Sequence, residues 1–292
     1  MAQHTAESVT EGVDLTGQYA LVTGVNSGIG LETARVLALR GATVLGTART
    51  LEKAQQACSG ISGTMIPLAC ELTDQASVRQ CAEQIVAAGV DSLDMVIANA
   101  GIMALPNLEL VDGIEKQFAT NHLGHFLLIN LLLPKIGQQR PARVVVVSSA
   151  AHMQAPKVGI EFDNLAGDKG YSSFRAYGQS KLANVLFANE LAKRVPRGTT
   201  VNSLHPGIIR TNLGRNMRGP LVWLMGLTMW PFMISVARGA ATSCFVAANP
   251  AAADKTGRYF ANCEEKKPSP LATDEALRAR LWTVSEQLVG LS

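Results

Sequence analysis

Thr23-Gly24-Val25-Asn26-Ser27-Gly28-Ile29-Gly30 follows a short apolar run at residues 19–22 and leads into an amphipathic one at 31–39. That order predicts strand, glycine turn and helix. Glycines at 24, 28 and 30 let the backbone turn tightly, approach a phosphate and pack a helix start against a sheet. The first-turn N–H groups of such a helix suit a pyrophosphate, which makes Gly24, Asn26, Ser27, Gly28, Ile29 and Gly30 candidate contacts. The same turn also arises for steric reasons alone, so its surroundings must decide.

Working outward, residues 42–48 read as a second buried strand, closing a βαβ unit and implying a parallel sheet. A chain that binds NAD usually ends this strand in a carboxylate for the ribose 2′-OH. Here Ala48-Arg49 stands there instead. A guanidinium suits a 2′-phosphate, so Arg49 points to NADP(H) in preference to NAD(H). Further strands are expected at 64–69, 93–98, 143–147, 200–204 and 257–260, and helices at 74–88, 113–133, 176–194 and 274–289. Asn121-His122-Leu123-Gly124 interrupts the second of these helices. The expected architecture is α/β: a doubly wound, parallel, seven-stranded sheet in one domain over 17–292, with residues 1–16 as an N-terminal extension.

With 47% hydrophobic and 17% charged residues among 292, a large core is expected, and a net charge of +3 gives no reason to invoke nucleic acid. Five cysteines lack C-x-x-C spacing, and His122, His125 and His152 lack acidic neighbours, so no metal site is expected. The N-terminus shows no signal-peptide pattern, which points to the cytoplasm.

Tyr177 and Lys181 lie four residues apart, hence on one face of the helix expected from 176. With the glycine turn, Ser148-Ser149 at a strand end and Asn121, this sequence resembles the short-chain dehydrogenase/reductase family from about residue 15 to 260. The resemblance implies a Rossmann-type fold with Tyr177 as general acid/base, Lys181 as its activator and ribose anchor, Ser149 as substrate-orienting partner, and Asn121 as holder of a relay water. Tyr177 and Lys181 then also touch the cofactor. Asn99-Ala100-Gly101 resembles the family's N-N-A-G turn with Ala98 replacing its first Asn, and Glu71-Leu72 stands where the adenine is held. Pro206-Gly207-Ile208-Ile209-Arg210-Thr211 resembles the segment over the nicotinamide, assigning Pro206, Gly207, Ile208 and Thr211 to cofactor binding. His205 beside it reads as structural. On general grounds a free phenol near 10 is too weak an acid, and a nearby ammonium with an oxidised nicotinamide would favour tyrosinate.

Tyr177 lies 28 positions after Ser149, a longer spacing than in compact relatives. With Y-G-Q-S-K-L-A-N, it resembles the retinol-dehydrogenase and protochlorophyllide-reductase-like branch, which implies a bulky apolar carbonyl or alcohol as substrate. Residues of about 212–236 form a small apolar lobe carrying Trp223, Met225, Met229, Trp230 and Phe232. Such side chains suit a large apolar ligand, a partner subunit or a membrane surface. The lobe's nearly uncharged part, residues 220–234, is too short and too broken by Gly226 and Pro231 to span a bilayer. The resemblance also implies a homodimer through the helices carrying Asn121 and Tyr177, unless the insertion covers that face. Two other readings stay open: an NADPH-binding redox sensor with little turnover, and a reductase of activated C=C bonds.

Overall fold

The computed structural model describes residues 4–207 and 234–292. Its strands are β1 (Tyr19–Thr23), β2 (Thr43–Ala48), β3 (Met65–Ala69), β4 (Met95–Ala98), β5 (Leu110–Val111), β6 (Ile114–Glu115), β7 (Arg143–Val147), β8 (Thr200–His205), β9 (Tyr259–Ala261) and β10 (Glu264–Lys266). The helices are α1 (Gly28–Leu39), α2 (Leu51–Ser59), α3 (Gln75–Ala87), α4 (Lys116–Phe118), α5 (Gly124–Leu132), α6 (Ser173–Leu191), α7 (Val236–Gly239), α8 (Ala241–Ala248) and α9 (Glu275–Leu288). The main sheet runs β3-β2-β1-β4-β7-β8-β9-β10. Seven strands are parallel, and β10 adds an eighth, antiparallel to β9.

This is the Rossmann-like, doubly wound sheet that the sequence predicts, with one strand more. Glu264-Glu265-Lys266 is wholly exposed, so no apolar alternation announced it. A second correction concerns residues 110–115, which form the hairpin β5–β6, so that helix begins at Lys116 instead of 113. A π-helical turn at Ala119–Leu123 then separates α4 from α5, at the interruption the sequence showed.

The strand sequences explain the two-faced core. In β7, Val144 and Val146 face α3, α5, α6 and α9, while Val145 and Val147 join the layer of α1 and α8. Period-two alternation with apolar side chains on both sides is what a covered parallel sheet requires. The N-terminal residues also pack down: Ala6 and Val9 are buried beside Val36, Ala240 and Cys244. The Ala6 N–H donates to the Ala237 carbonyl at 2.8 Å.

The chain winds from β1 to β3 in one direction and resumes at β4 on the other side of β1. A crevice opens at this switch, outside the carboxyl ends of the strands. Helix α9 covers the outer faces of α5 and α6. Trp282 packs on Phe126 and Phe187 at centroid distances of 4.9 and 5.9 Å, and Arg278 pairs with buried Glu190 at 2.9 Å.

Candidate active site

The glycine turn sits at the switch. Gly24 and Val25 N–H groups donate to the Thr47 carbonyl at 2.9 and 3.0 Å, fixing the turn to the end of β2. Gly24 and Gly28 have φ of +75° and +62°, where a side chain is strained. A Cβ on Gly30 would run into the Gly24 carbonyl oxygen and Asn99 Nδ2. The N-cap Ser27 gives no side-chain bond to the first turn of α1. Asn26 and Ser27 are exposed at the mouth, beside half-buried Ile29.

Arg49 is exposed at the end of β2, and no hydrogen-bond or ion-pair partner for it exists among the described residues. Glu71 Oε1 accepts from the Thr73 N–H and hydroxyl at 3.1 and 2.8 Å, leaving Oε2 for a ligand. Leu72 is buried against Gly124, where a Cβ would strike the Leu72 carbonyl.

Thr23 organises the next turn. Its hydroxyl accepts from the Asn99 and Ala100 N–H groups at 2.9 and 3.0 Å, while Asn99 Nδ2 donates to the Thr23 carbonyl at 2.8 Å. The same hydroxyl meets His125 Nε2 at 2.8 Å, and His125 Nδ1 lies 3.1 Å from the Asn121 carbonyl. A carbonyl can only accept, so Nδ1 carries the proton and Nε2 takes one from Thr23. Burial holds His125 neutral, at about 4. The Asn121 side chain is fully employed: Oδ1 accepts from Ile102 N–H at 2.9 Å, and Nδ2 donates to the Ile102 carbonyl and Ser180 Oγ at 3.0 and 2.9 Å. Only its main-chain carbonyl, shared with His125, remains for a water.

The structure brings Ser149, Tyr177 and Lys181 together. Ser148 and Ser149 leave β7 in opposite roles. Ser148 is buried, its hydroxyl donating to the Lys181 carbonyl at 2.7 Å; Ser149 faces the Tyr177 phenol. Lys181 Nζ donates to the Val147 carbonyl at 3.1 Å and sits 5.8 Å from the centre of the Tyr177 ring. Asn184 Nδ2 donates to that same carbonyl at 3.1 Å. Burial pushes Tyr177 up to about 12, against which the Ser149 hydroxyl works, and pulls Lys181 down to about 8. In the protein alone, burial therefore outweighs the Ser149 hydrogen bond.

Gly101 lies beside this group: a Cβ there would be 3.0 Å from Asn121 Oδ1 and 3.5 Å from Lys181 Nζ. His152 braces the serine's turn, with Nδ1 2.7 Å from the Ser149 carbonyl and Nε2 accepting from Ser269 N–H at 3.0 Å. Pro206 and Gly207, the latter at φ +92°, follow β8. Ile208, Thr211, Trp223, Met225, Met229, Trp230 and Phe232 lie outside the described residues. Among the described residues no cluster of metal-ligating side chains occurs, and no helix is long and apolar enough to cross a membrane.

A family model described as short chain dehydrogenase matches residues 18–220. This chain belongs to the short-chain dehydrogenase family. It is 40% identical to human retinol dehydrogenase 14, covering 94% of this chain and 87% of the relative. It is 42% identical to the chloroplastic short-chain dehydrogenase TIC 32 A of Brassica napus, over 98% and 92%. Among solved structures, an uncharacterised protein from Mycobacterium paratuberculosis superposes with TM-score 0.77 at 33% identity, covering 97% of each chain. The NADP complex of Pseudomonas aeruginosa RhlG is similar with TM-score 0.66 at 28% identity, over 85% of this chain and 96% of the other.

As a short-chain dehydrogenase the chain is an oxidoreductase that binds a nicotinamide cofactor, and its residues fit one. The contact at Gly30 that a Cβ would close and the uncapped start of α1 suit a pyrophosphate. Sequence reasoning missed Thr23, His125 and Asn184 as organisers of this dehydrogenase site. Thr23 stood inside the quoted turn, and His125 follows Asn121 by one helical turn, so spacing alone could have paired His125 with Asn121, though not with Thr23.

Proposed function

We propose that this short-chain dehydrogenase is an NADP(H)-dependent enzyme interconverting a carbonyl and an alcohol on a bulky hydrophobic substrate, with Tyr177 as general acid/base. The observation that carries this reading is the convergence of Tyr177, Lys181 and Ser149 outside β7, with Lys181 beside Gly101. Bound nicotinamide supplies the hydride. The chain's own groups handle the proton. A phenol held at about 12 keeps its proton at neutral pH and can give it to a substrate oxygen, while Lys181 steadies the phenolate left behind. Ser149, which faces the phenol, would hold the same oxygen. In the cofactor-free protein the phenol thus stands in the protonated form that reduction uses, whereas oxidation of an alcohol uses the ionised form.

Arg49 supports the preference for the 2′-phosphorylated cofactor, since its guanidinium is exposed and unpaired among the described residues. Similarity to retinol dehydrogenases and the apolar composition of 212–236 support a bulky apolar substrate, presented in solution or at a membrane surface. Cover of α5 and α6 by α9 supports a protein that does not pair through those helices. The five free cysteines fit a reducing compartment such as the cytoplasm.

The test is NADPH oxidation, with NADH in parallel, across small aldehydes and steroid, retinoid and aryl ketones. Tyr177→Phe should nearly abolish turnover while leaving NADPH binding, and Arg49→Asp should move preference towards NADH. Tight NADPH binding without turnover on any carbonyl would refute carbonyl chemistry and leave a sensor or a C=C reductase.

A further inference from the structure

The long insertion between Ser149 and Tyr177 finds no part in the proton chemistry. Its last residues before α6 nevertheless reach back to the segment that follows β4. Tyr171 donates its hydroxyl to the Leu105 carbonyl at 2.6 Å, and accepts from Gln117 Nε2 at 3.2 Å. Gln117, fully buried, also accepts the Ala104 N–H at 2.7 Å and donates to Glu115 and the Ser173 carbonyl at 3.0 and 3.3 Å. Glu115 N–H in turn bonds to the Leu165 carbonyl of the insertion at 2.8 Å. Three segments distant in sequence thus meet at residues 104–105.

The backbone they hold is strained. Ala104 has φ +49°, a left-handed conformation that alanine adopts only when its surroundings impose it. Gln117 grips its N–H, and Tyr171 grips the next carbonyl. On the other side, Asn121 brackets Ile102 through both its N–H and its carbonyl. The stretch so clamped is the one that leaves Gly101 beside Lys181. Ile102 and Met103, both half-buried, are its first apolar side chains.

We infer that Tyr171 is a positioning residue through which the insertion sets the apolar wall of the substrate site, by holding Ala104 left-handed so that Ile102 and Met103 stay against a bulky apolar carbonyl substrate. The inference rests on the carbonyl-reductase reading above for its substrate, and on the geometry alone for its brace. Burial and the Glu115 and Glu109 carboxylates push the Tyr171 hydroxyl up to about 12, so it remains a donor throughout the working range.

Tyr171→Phe removes the hydroxyl and little else. Discrimination, as the ratio of kcat/KM for a bulky aryl ketone to that for a small aldehyde, should fall about tenfold, the order of one hydrogen bond lost. The fall should appear in KM more than in kcat. Amide exchange should quicken at Ala104 and stay unchanged at Ala100, whose N–H is held by Thr23. Adding Ala104→Gly to Tyr171→Phe should restore much of the discrimination, because glycine takes positive φ without help. Equal losses on both substrates, or unaltered exchange at Ala104, would overturn the inference. If the wild-type protein reduces no carbonyl, the carbonyl-reductase reading falls, and the exchange measurement still decides whether Tyr171 braces the wall.

Discussion

Replacing Lys181 by methionine should separate what this residue does for the reaction from what it does to the fold. Lysine ordinarily titrates near 10.5, and burial pulls Lys181 to about 8. Below pH 8 the folded protein therefore carries an ammonium that would sooner be in water; the unfolded chain pays no such penalty. At about 1.4 kcal/mol for each tenfold change in proton affinity, the cost is about 3 kcal/mol at pH 7. Its sign follows from proton counts: between 8 and 10.5 the unfolded state binds more protons, so stability gained from this group rises with pH through that window. Methionine is similar in length, carries no charge, and leaves the Val147 carbonyl its bond from Asn184. Lys181→Met should thus be more stable than wild type by about 2–3 kcal/mol at pH 7, with the difference shrinking towards zero above pH 10. Urea unfolding of both proteins from pH 6.5 to 10.5 measures this, since other titrating groups cancel in the comparison. Turnover in the same variant should fall by roughly a hundredfold or more, as for a lost acid/base partner. A variant less stable than wild type by the same amount at every pH would refute the reasoning, and would mean that the ammonium is well compensated where it sits.

Gly30→Ala should weaken NADPH binding by about tenfold or more and cost about 1–3 kcal/mol of stability, because its Cβ meets the Gly24 carbonyl and Asn99 Nδ2; a fluorescence titration with bound NADPH and a melting curve check both. Trp282→Ala should cost about 3–5 kcal/mol and uncover Phe126 and Phe187, so that the protein self-associates in sedimentation at concentrations where wild type does not. An unchanged melting temperature would show that α9 is not the cover described. Thr23→Val should leave Asn99 and Ala100 N–H groups unpaired and speed their amide exchange, with weaker cofactor binding as the consequence.

The parts of this fold that repeat a period were legible in the sequence. β7, with its four valines, and the glycine turn into α1 carry their own geometry, and the Tyr177/Lys181 spacing places both side chains on one helical face. The side-chain bonds between distant segments were not legible. Nothing near Thr23 names His125, 102 positions away, and nothing near Tyr171 names Leu105. Asn121 was found by resemblance, but its side chain serves the backbone at Ile102, which no motif encodes. The strand β10 escaped because an edge strand with three charged, exposed residues has no buried face to imprint on its sequence.

Helix α9 closes over α5 and α6 from far downstream. His122 on the π turn meets Ser285 across 163 residues, and Glu190 meets Arg278 across 88. During synthesis the helix that carries Tyr177 must therefore wait with an aromatic face bare until residues 275–288 have left the ribosome. For that interval the chain has its glycine turn and its tyrosine in place while Phe126 and Phe187 remain open to other chains. Translation speed and chaperone occupancy between residues 191 and 275 then become determinants of yield, and a premature stop in α9 should produce aggregate in place of a weakened enzyme.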